Sequence, residues 1–197
     1  MFVFFYDIDI DKWNEVFSEF CNDLDKYDAC VVYFAGHGVE IDGKNYLLCK
    51  NTLAGNKGGT VRNSLDLQVS LDAIKTKNCN TNIIIIDACR NNPFPEDRTV
   101  YAASTLTSIF APKGTLIAYS TSPGQKADDK GMGDHSYYTG ALLLHITEIG
   151  LPIESFFKEV RTTVYNLSNE QQTSWEHTSL IGNFSFNSGR HQFLRKS

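Results

Sequence analysis

The sequence predicts a three-layer αβα sandwich built on a mostly parallel sheet. Three observations carry that expectation. Short apolar runs alternate with segments of helical period, the order from which parallel sheets are wound. The stretch "NIIIID" (82–87) sets four isoleucines in a row, the mark of a strand covered on both faces. The chain has 197 residues, 42% hydrophobic and 21% charged, enough for one domain with its own core.

The elements follow in order. "FVFFY" (2–6) is a short apolar run. "DKWNEVFSEFCNDL" places Trp13, Val16, Phe17, Phe20 and Leu24 on one helix face, with Asp11 as the expected N-cap. "CVVYFA" (30–35) reads as a buried strand that runs out into Gly36-His37-Gly38. "EIDGKNYLLC" centres on Asp42-Gly43, a hairpin turn. Residues 51–63, rich in Asn, Gly and Thr, read as a surface loop. Leu67, Leu71 and Ile74 give a short helix with Ser64 near its start.

After the isoleucine strand, 91–114 holds three prolines and no clear period, which predicts a long loop. "TLIAYS" (115–120) is another strand, and 122–136 a second long, polar, glycine-rich loop. Two helices are expected at roughly 136–149 and 152–166, the second with Pro152 in its first turn and Ile153, Phe156, Phe157, Val160 and Val164 on one face. "GNFSFN" (182–187) alternates as a last, edge strand would. The domain is expected to span 1–187, with 188–197 as a tail or linker.

Composition removes several classes of function. The net charge is −5 and no basic stripe carries interleaved aromatics, so nucleic acid is not an expected partner. No apolar run reaches the about 18 residues of a membrane span. The start "MFVFFYDIDID" lacks a basic region and a small-residue cleavage site, so no secretory signal is read there. The five cysteines, Cys21, Cys30, Cys49, Cys79 and Cys89, are odd in number and form no CxxC pair, which argues against a disulfide framework or a zinc site. A reducing, cytoplasmic setting is expected, and no cofactor or metal.

In parallel sheets ligands sit beyond the carboxyl ends of the strands. Three strands run out into polar sequence there. One delivers Gly36-His37-Gly38, one Asp87-Ala88-Cys89-Arg90, and one Ser120-Thr121-Ser122. If the strands are parallel and close, His37 and Cys89 meet at one edge of the sheet. A cysteine nucleophile needs a thiolate or a base to make one, and His37 could take that proton or pass it to a leaving amine. Gly38 has no Cβ, so its N–H can approach a substrate oxygen. With the N–H of Cys89 it would form an oxyanion hole.

His37 and Cys89 lie 52 positions apart. In caspases the histidine stands about 50 residues before the cysteine. "YFAGHG" followed by "IIIIDACRNNPF" resembles the caspase-like peptidases of clan CD. "GKNYLL", "YSTSPGQKADD" and "QTSWEHTSLIGNFSF" resemble further segments of that superfamily in the same order, most like its bacterial paracaspase or orthocaspase branch. The resemblance covers nearly the whole chain and implies a caspase-haemoglobinase-like sandwich. It also implies that the family's first strand and helix are not represented, because this chain starts near what looks like the second strand.

Asp87 lies two residues before Cys89, so in a strand it shares a face with it. Its carboxylate should point into the pocket for the residue preceding the scissile bond, the P1 residue, and should favour Arg or Lys there. Caspases proper carry glutamine at this place and prefer aspartate; in the paracaspase and metacaspase branches the aspartate belongs to a basic-residue pocket. The resemblance places Asp129, with Asp128 close behind, as a second pocket acid, and Ser120 in the same pocket. The 91–114 loop corresponds to a segment that many caspase-like enzymes cleave, and Arg98 and Lys113 would suit autocleavage by a basic-specific enzyme.

The leading expectation is therefore a cysteine endopeptidase cutting protein or peptide substrates after Arg or Lys. A homodimer and Ca²⁺ dependence are compatible with the resemblance, though nothing in the residues calls for either. The competing expectation is an inactive caspase-like domain used for assembly. A nucleotide-binding protein and an α/β-hydrolase are poorly supported, because the sequence lacks GxGxxG, GxxxxGK[ST] and GxSxG.

Overall fold

A computed structural model describes residues 4–52, 57–89, 106, 109–122 and 131–189. In chain order the elements are α1 (Ile10–Asp23), β1 (Ala29–Ile41), β2 (Lys44–Leu48), α2 (Lys57–Arg62), β3 (Ser64–Asp66), α3 (Leu67–Lys75), β4 (Thr81–Cys89), β5 (Thr115–Tyr119), β6 (Gly131–Met132), β7 (His135–Ser136), α4 (Tyr137–His145), α5 (Ile153–Leu167) and β8 (Trp175–Thr178). The main sheet has the order β3-β2-β1-β4-β5-β8. Its centre, β1, β4 and β5, is parallel, and β2, β3 and β8 are added through antiparallel pairings, β2 on β1, β3 on β2 and β8 on β5. A separate two-stranded hairpin joins β6 to β7.

The isoleucine run explains the three layers. Ile83 and Ile85 face α4 and α5, where Leu116, Ala118, Tyr138, Ala141, Phe156, Phe157 and Val160 complete one core. Ile84 and Ile86 face the opposite way, toward α1 and α3, with Leu24, Leu67, Leu71, Ile74 and Ile117. All four isoleucines are buried, and each fully covered side chain of this size contributes about 1.5–3 kcal/mol. A strand buried on both faces cannot alternate, which is why the sequence does not.

β1 is longer than its apolar run. Ala29 to His37 lies parallel to Thr81 to Cys89 in one unbroken register. At Gly38 the strand leaves β4 and pairs antiparallel with β2 through Ile41. Gly36-His37-Gly38 is thus strand throughout, rather than a loop beyond a strand end. The hairpin that follows turns on Asp42 and Gly43, both at positive φ (53° and 77°), as a tight two-residue turn of the right twist requires. Among the described residues no strand pairs with the other edge of Ala29–His37, and Val31 and Tyr33 are exposed there.

Several local expectations are corrected. Asp9, not Asp11, caps α1, accepting from Lys12 N at 2.8 Å. Part of 51–63 forms α2, with Gly59 and Thr60 buried. Ser64 opens β3, and Asp66 caps α3 by accepting from Gln68 N and Val69 N. Pro152 is the N-cap residue of α5 rather than a member of its first turn. α4 ends at His145, four residues short of the expected boundary at 149. The last strand is β8, not 182–187: Phe184 and Phe186 pack onto the α5 core, and Phe184 O accepts from Ile153 N at 2.9 Å. Of "FVFFY", residues 4–6 are described, and they are exposed and outside any strand.

Candidate active site

The register of β1 against β4 builds the site. Every pair from Ala29↔Thr81 to His37↔Cys89 keeps the same offset, so His37 and Cys89 end the parallel ladder as direct partners. Neighbouring strands lie about 4.8 Å apart. By the two-residue period of a strand, the Cys89 position falls on the face of Ile83, Ile85 and Asp87, the side covered by α4 and α5. His37 shares its face of β1 with Tyr33 and Ala35, and is exposed. The two positions picked out by the sequence motifs are thus brought together at the carboxyl edge of the sheet.

Gly38 sits at the point where β1 changes partner, opposite Leu47. It is closely covered from the α1/α3 side. A Cβ there would stand 3.0 Å and 3.3 Å from the two Leu106 methyls and 3.4 Å from Ala88 Cβ. Leu106 is 2% exposed, so this residue of the long loop is set into the core directly beneath the change of partner.

Asp87 is 7% exposed and partners Ala35 across the ladder. Its Oδ2 accepts hydrogen bonds from two hydroxyls at the start of α4, Ser136 Oγ and Thr139 Oγ1 (2.5 Å). Ser136 is the N-cap of α4, where its Oγ also accepts from Thr139 N at 2.9 Å. Thr139 Oγ1 lies 2.6 Å from Tyr33 OH on β1. Partial burial pushes the Tyr33 phenol up and the Asp87 carboxylate adds to that, so Tyr33 stays neutral beyond its ordinary range. Ser136, Thr139 and Tyr33 were not read from the sequence. Ser136 alone left a signal, as a helix-capping residue directly after a polar loop.

Ser120 follows β5 and is buried. Its N–H donates to Ile86 O (3.0 Å), and its carbonyl accepts from Gln172 Nε2 (2.8 Å). That places it one position beyond the Ile86↔Tyr119 pair, level with Asp87. Lys113 is exposed in a turn just ahead of β5. Asp128, Asp129 and Arg98 lie outside the described residues, as does the side chain of Cys89. Among the described residues no cluster of His, Cys, Asp or Glu could hold a metal ion, and no helix is long and apolar enough to cross a membrane.

Comparison with known proteins agrees with this architecture. The structure is similar to the crystal structure of caspase-1 from Spodoptera frugiperda, with a TM-score of 0.66 and 16% identity, over 96% of this chain and 75% of that one. At that identity the likeness speaks for the fold. No curated protein matches the sequence. The family model described as the caspase domain (Peptidase_C14) matches residues 2–185, nearly the whole chain. The chain belongs to the caspase-domain peptidase family.

Proposed function

We propose that this domain is a cysteine endopeptidase that hydrolyses peptide bonds after arginine or lysine, in the manner of the paracaspase and orthocaspase branch. The observation that carries the reading is the direct register pairing of His37 with Cys89 at the end of the parallel ladder. The Cys89 sulfur attacks the scissile carbonyl as thiolate. His37 passes a proton to the leaving amine and then takes one from the water that hydrolyses the acyl-enzyme. The amides of Gly38 and Cys89 stabilise the oxyanion, at about 3 kcal/mol for each well-placed donor.

Asp87 receives the basic P1 side chain, with Asp129 and Asp128 from the neighbouring loop as further acids and Ser120 beside them. No cofactor is invoked, and the thiol chemistry suits a reducing cytoplasm. Autocleavage is assigned to Arg98 ahead of Lys113. The Lys113–Gly114 bond lies in a turn held by Thr115 N to Pro112 O (3.0 Å) and Gly114 N to Ser179 O (3.2 Å), so presenting it to an active site would break β5's first contacts.

Fluorogenic peptides with Arg, Lys or Asp at P1, offered to wild type and Cys89→Ala, test the reading. Cleavage after Arg and Lys by wild type alone is expected. Cleavage after Asp alone would sink the pocket assignment, and no cleavage of any peptide would make the domain an inactive assembly module.

A further inference from the structure

The hydrogen bonds on Asp87 bear on which basic residue the pocket takes. A carboxylate oxygen has two in-plane lone pairs. On Oδ2 both are occupied, by Ser136 Oγ and by Thr139 Oγ1 at 2.5 Å. The substrate is left with Oδ1. The direction of the chain is also fixed. Thr139 has one hydroxyl proton and gives it to Asp87, so the Tyr33 hydroxyl at 2.6 Å must donate to Thr139 Oγ1. Tyr33 can do so throughout the neutral range, because it stays a neutral phenol. Ser136 is held in turn as the N-cap of α4, by the Thr139 amide. The carboxylate is therefore clamped by two hydroxyls at the start of α4, one of them backed by Tyr33 of β1, and cannot swing to offer both oxygens.

A guanidinium gains most from a carboxylate that presents both oxygens to its planar fork, whereas an ammonium is a point charge satisfied by one. We infer that Thr139, backed by Tyr33, is a specificity-determining positioning residue: it keeps Asp87 a one-oxygen acceptor, so the pocket takes lysine as readily as arginine. This rests on the proposed P1 reading.

The test is the ratio of kcat/KM for two peptides that differ only in Arg or Lys at P1. It is measured for wild type, Thr139→Val, Thr139→Ser and Tyr33→Phe. Wild type should discriminate by no more than about threefold. Thr139→Val keeps the shape but removes the donor, freeing a lone pair on Oδ2. The ratio should then shift toward arginine by about tenfold, equal to about 1.4 kcal/mol, mainly through a lower KM for the arginine peptide. Thr139→Ser restores the donor and should restore the wild-type ratio, and Tyr33→Phe should fall between. A wild type that prefers arginine by more than about thirtyfold, or a Thr139→Val ratio within twofold of wild type, overturns the inference while leaving the basic-P1 reading intact. A wild type that cleaves neither peptide overturns both, and is told apart by that silence.

Discussion

Gly38 and Leu106 should behave as one energetic unit. Introducing a Cβ by Gly38→Ala puts a methyl 3.0 Å from one Leu106 methyl and 3.3 Å from the other. Carbon atoms in a packed core prefer about 3.5–4.0 Å. Leu106 must therefore back away by roughly half an ångström to an ångström, in a site where it is 2% exposed. Overpacking of this kind costs about 1–3 kcal/mol. Leu106→Ala alone removes a buried side chain and leaves a void, at about 2–5 kcal/mol. In that background the new methyl at position 38 keeps only its ordinary contact with Ala88 Cβ at 3.4 Å. Gly38 is not among the positive-φ glycines, so alanine fits its backbone and should stabilise by about 0.4–1 kcal/mol through the unfolded chain. Gly38→Ala thus changes sign between the two backgrounds, with a coupling of about 1.5–4 kcal/mol in favour of the double variant. Urea denaturation of the four proteins, with the slope m constant, reads it directly. If Gly38→Ala costs the same in both backgrounds to within about 0.5 kcal/mol, Leu106 does not rest on Gly38 and the packing argument is wrong.

Two further outcomes follow from the thiols and phenols. Cys21, Cys30 and Cys79 are buried, and burial pushes the Cys49 thiol up to about 11, so iodoacetamide at pH 7.5 should label Cys89 first. Peptide mass mapping checks this, and Cys49 reacting as fast as Cys89 would contradict it. Stability should fall in alkali. Burial raises Cys49 from an ordinary value of 9.0 and raises Tyr33 and Tyr138 above 10.0, so the folded chain keeps protons that the unfolded chain has lost. The Cys49 contribution is fully present below about pH 9 and drains away as the pH rises through about 11, and the two phenols add to the loss above pH 10, so the urea midpoint should be lower at pH 10.5 than at pH 8. An unchanged or higher midpoint would refute the sign.

The layered fold was legible because the isoleucine run could be nothing but a doubly covered strand, and the helix faces around it were long enough to show their period. Asp42-Gly43 was legible because few residue pairs accept two positive φ angles in succession. The extension of β1 through Gly36-His37 was not, because those two residues are held in the strand by Ala88 and Cys89 of β4, a partner 52 residues further along that local sequence does not reveal. β8 was missed for the same reason. "WEHT" has no apolar alternation of its own, and becomes a strand by pairing with β5 while Glu176 meets Arg161 of α5. "GNFSFN" does alternate, yet its two phenylalanines dock on α5 as separate plugs, with ring centroids of Phe156 and Phe186 4.8 Å apart. At the site, the motif positions were legible as residue types. The hydroxyls that clamp Asp87 were not, since Tyr33, Ser136 and Thr139 meet only after β1 and α4 pack together.

The unbroken ladder of β1 on β4 has a consequence for how relatives of this chain should be recognised. Most of the 52-residue interval is residues 38–80, which join the two runs and take no part in the ladder. Lengthening or shortening that stretch, for example between Leu48 and Lys57, would change the interval and leave His37 beside Cys89. One residue gained inside Ala29–His37 or Thr81–Cys89 would do the reverse. It would keep the interval almost unchanged, yet move the histidine or the cysteine to the opposite face of the sheet. A fixed count between the two motifs is therefore a poor criterion of descent or activity. An intact, equal-length run leading up to each motif is the better one.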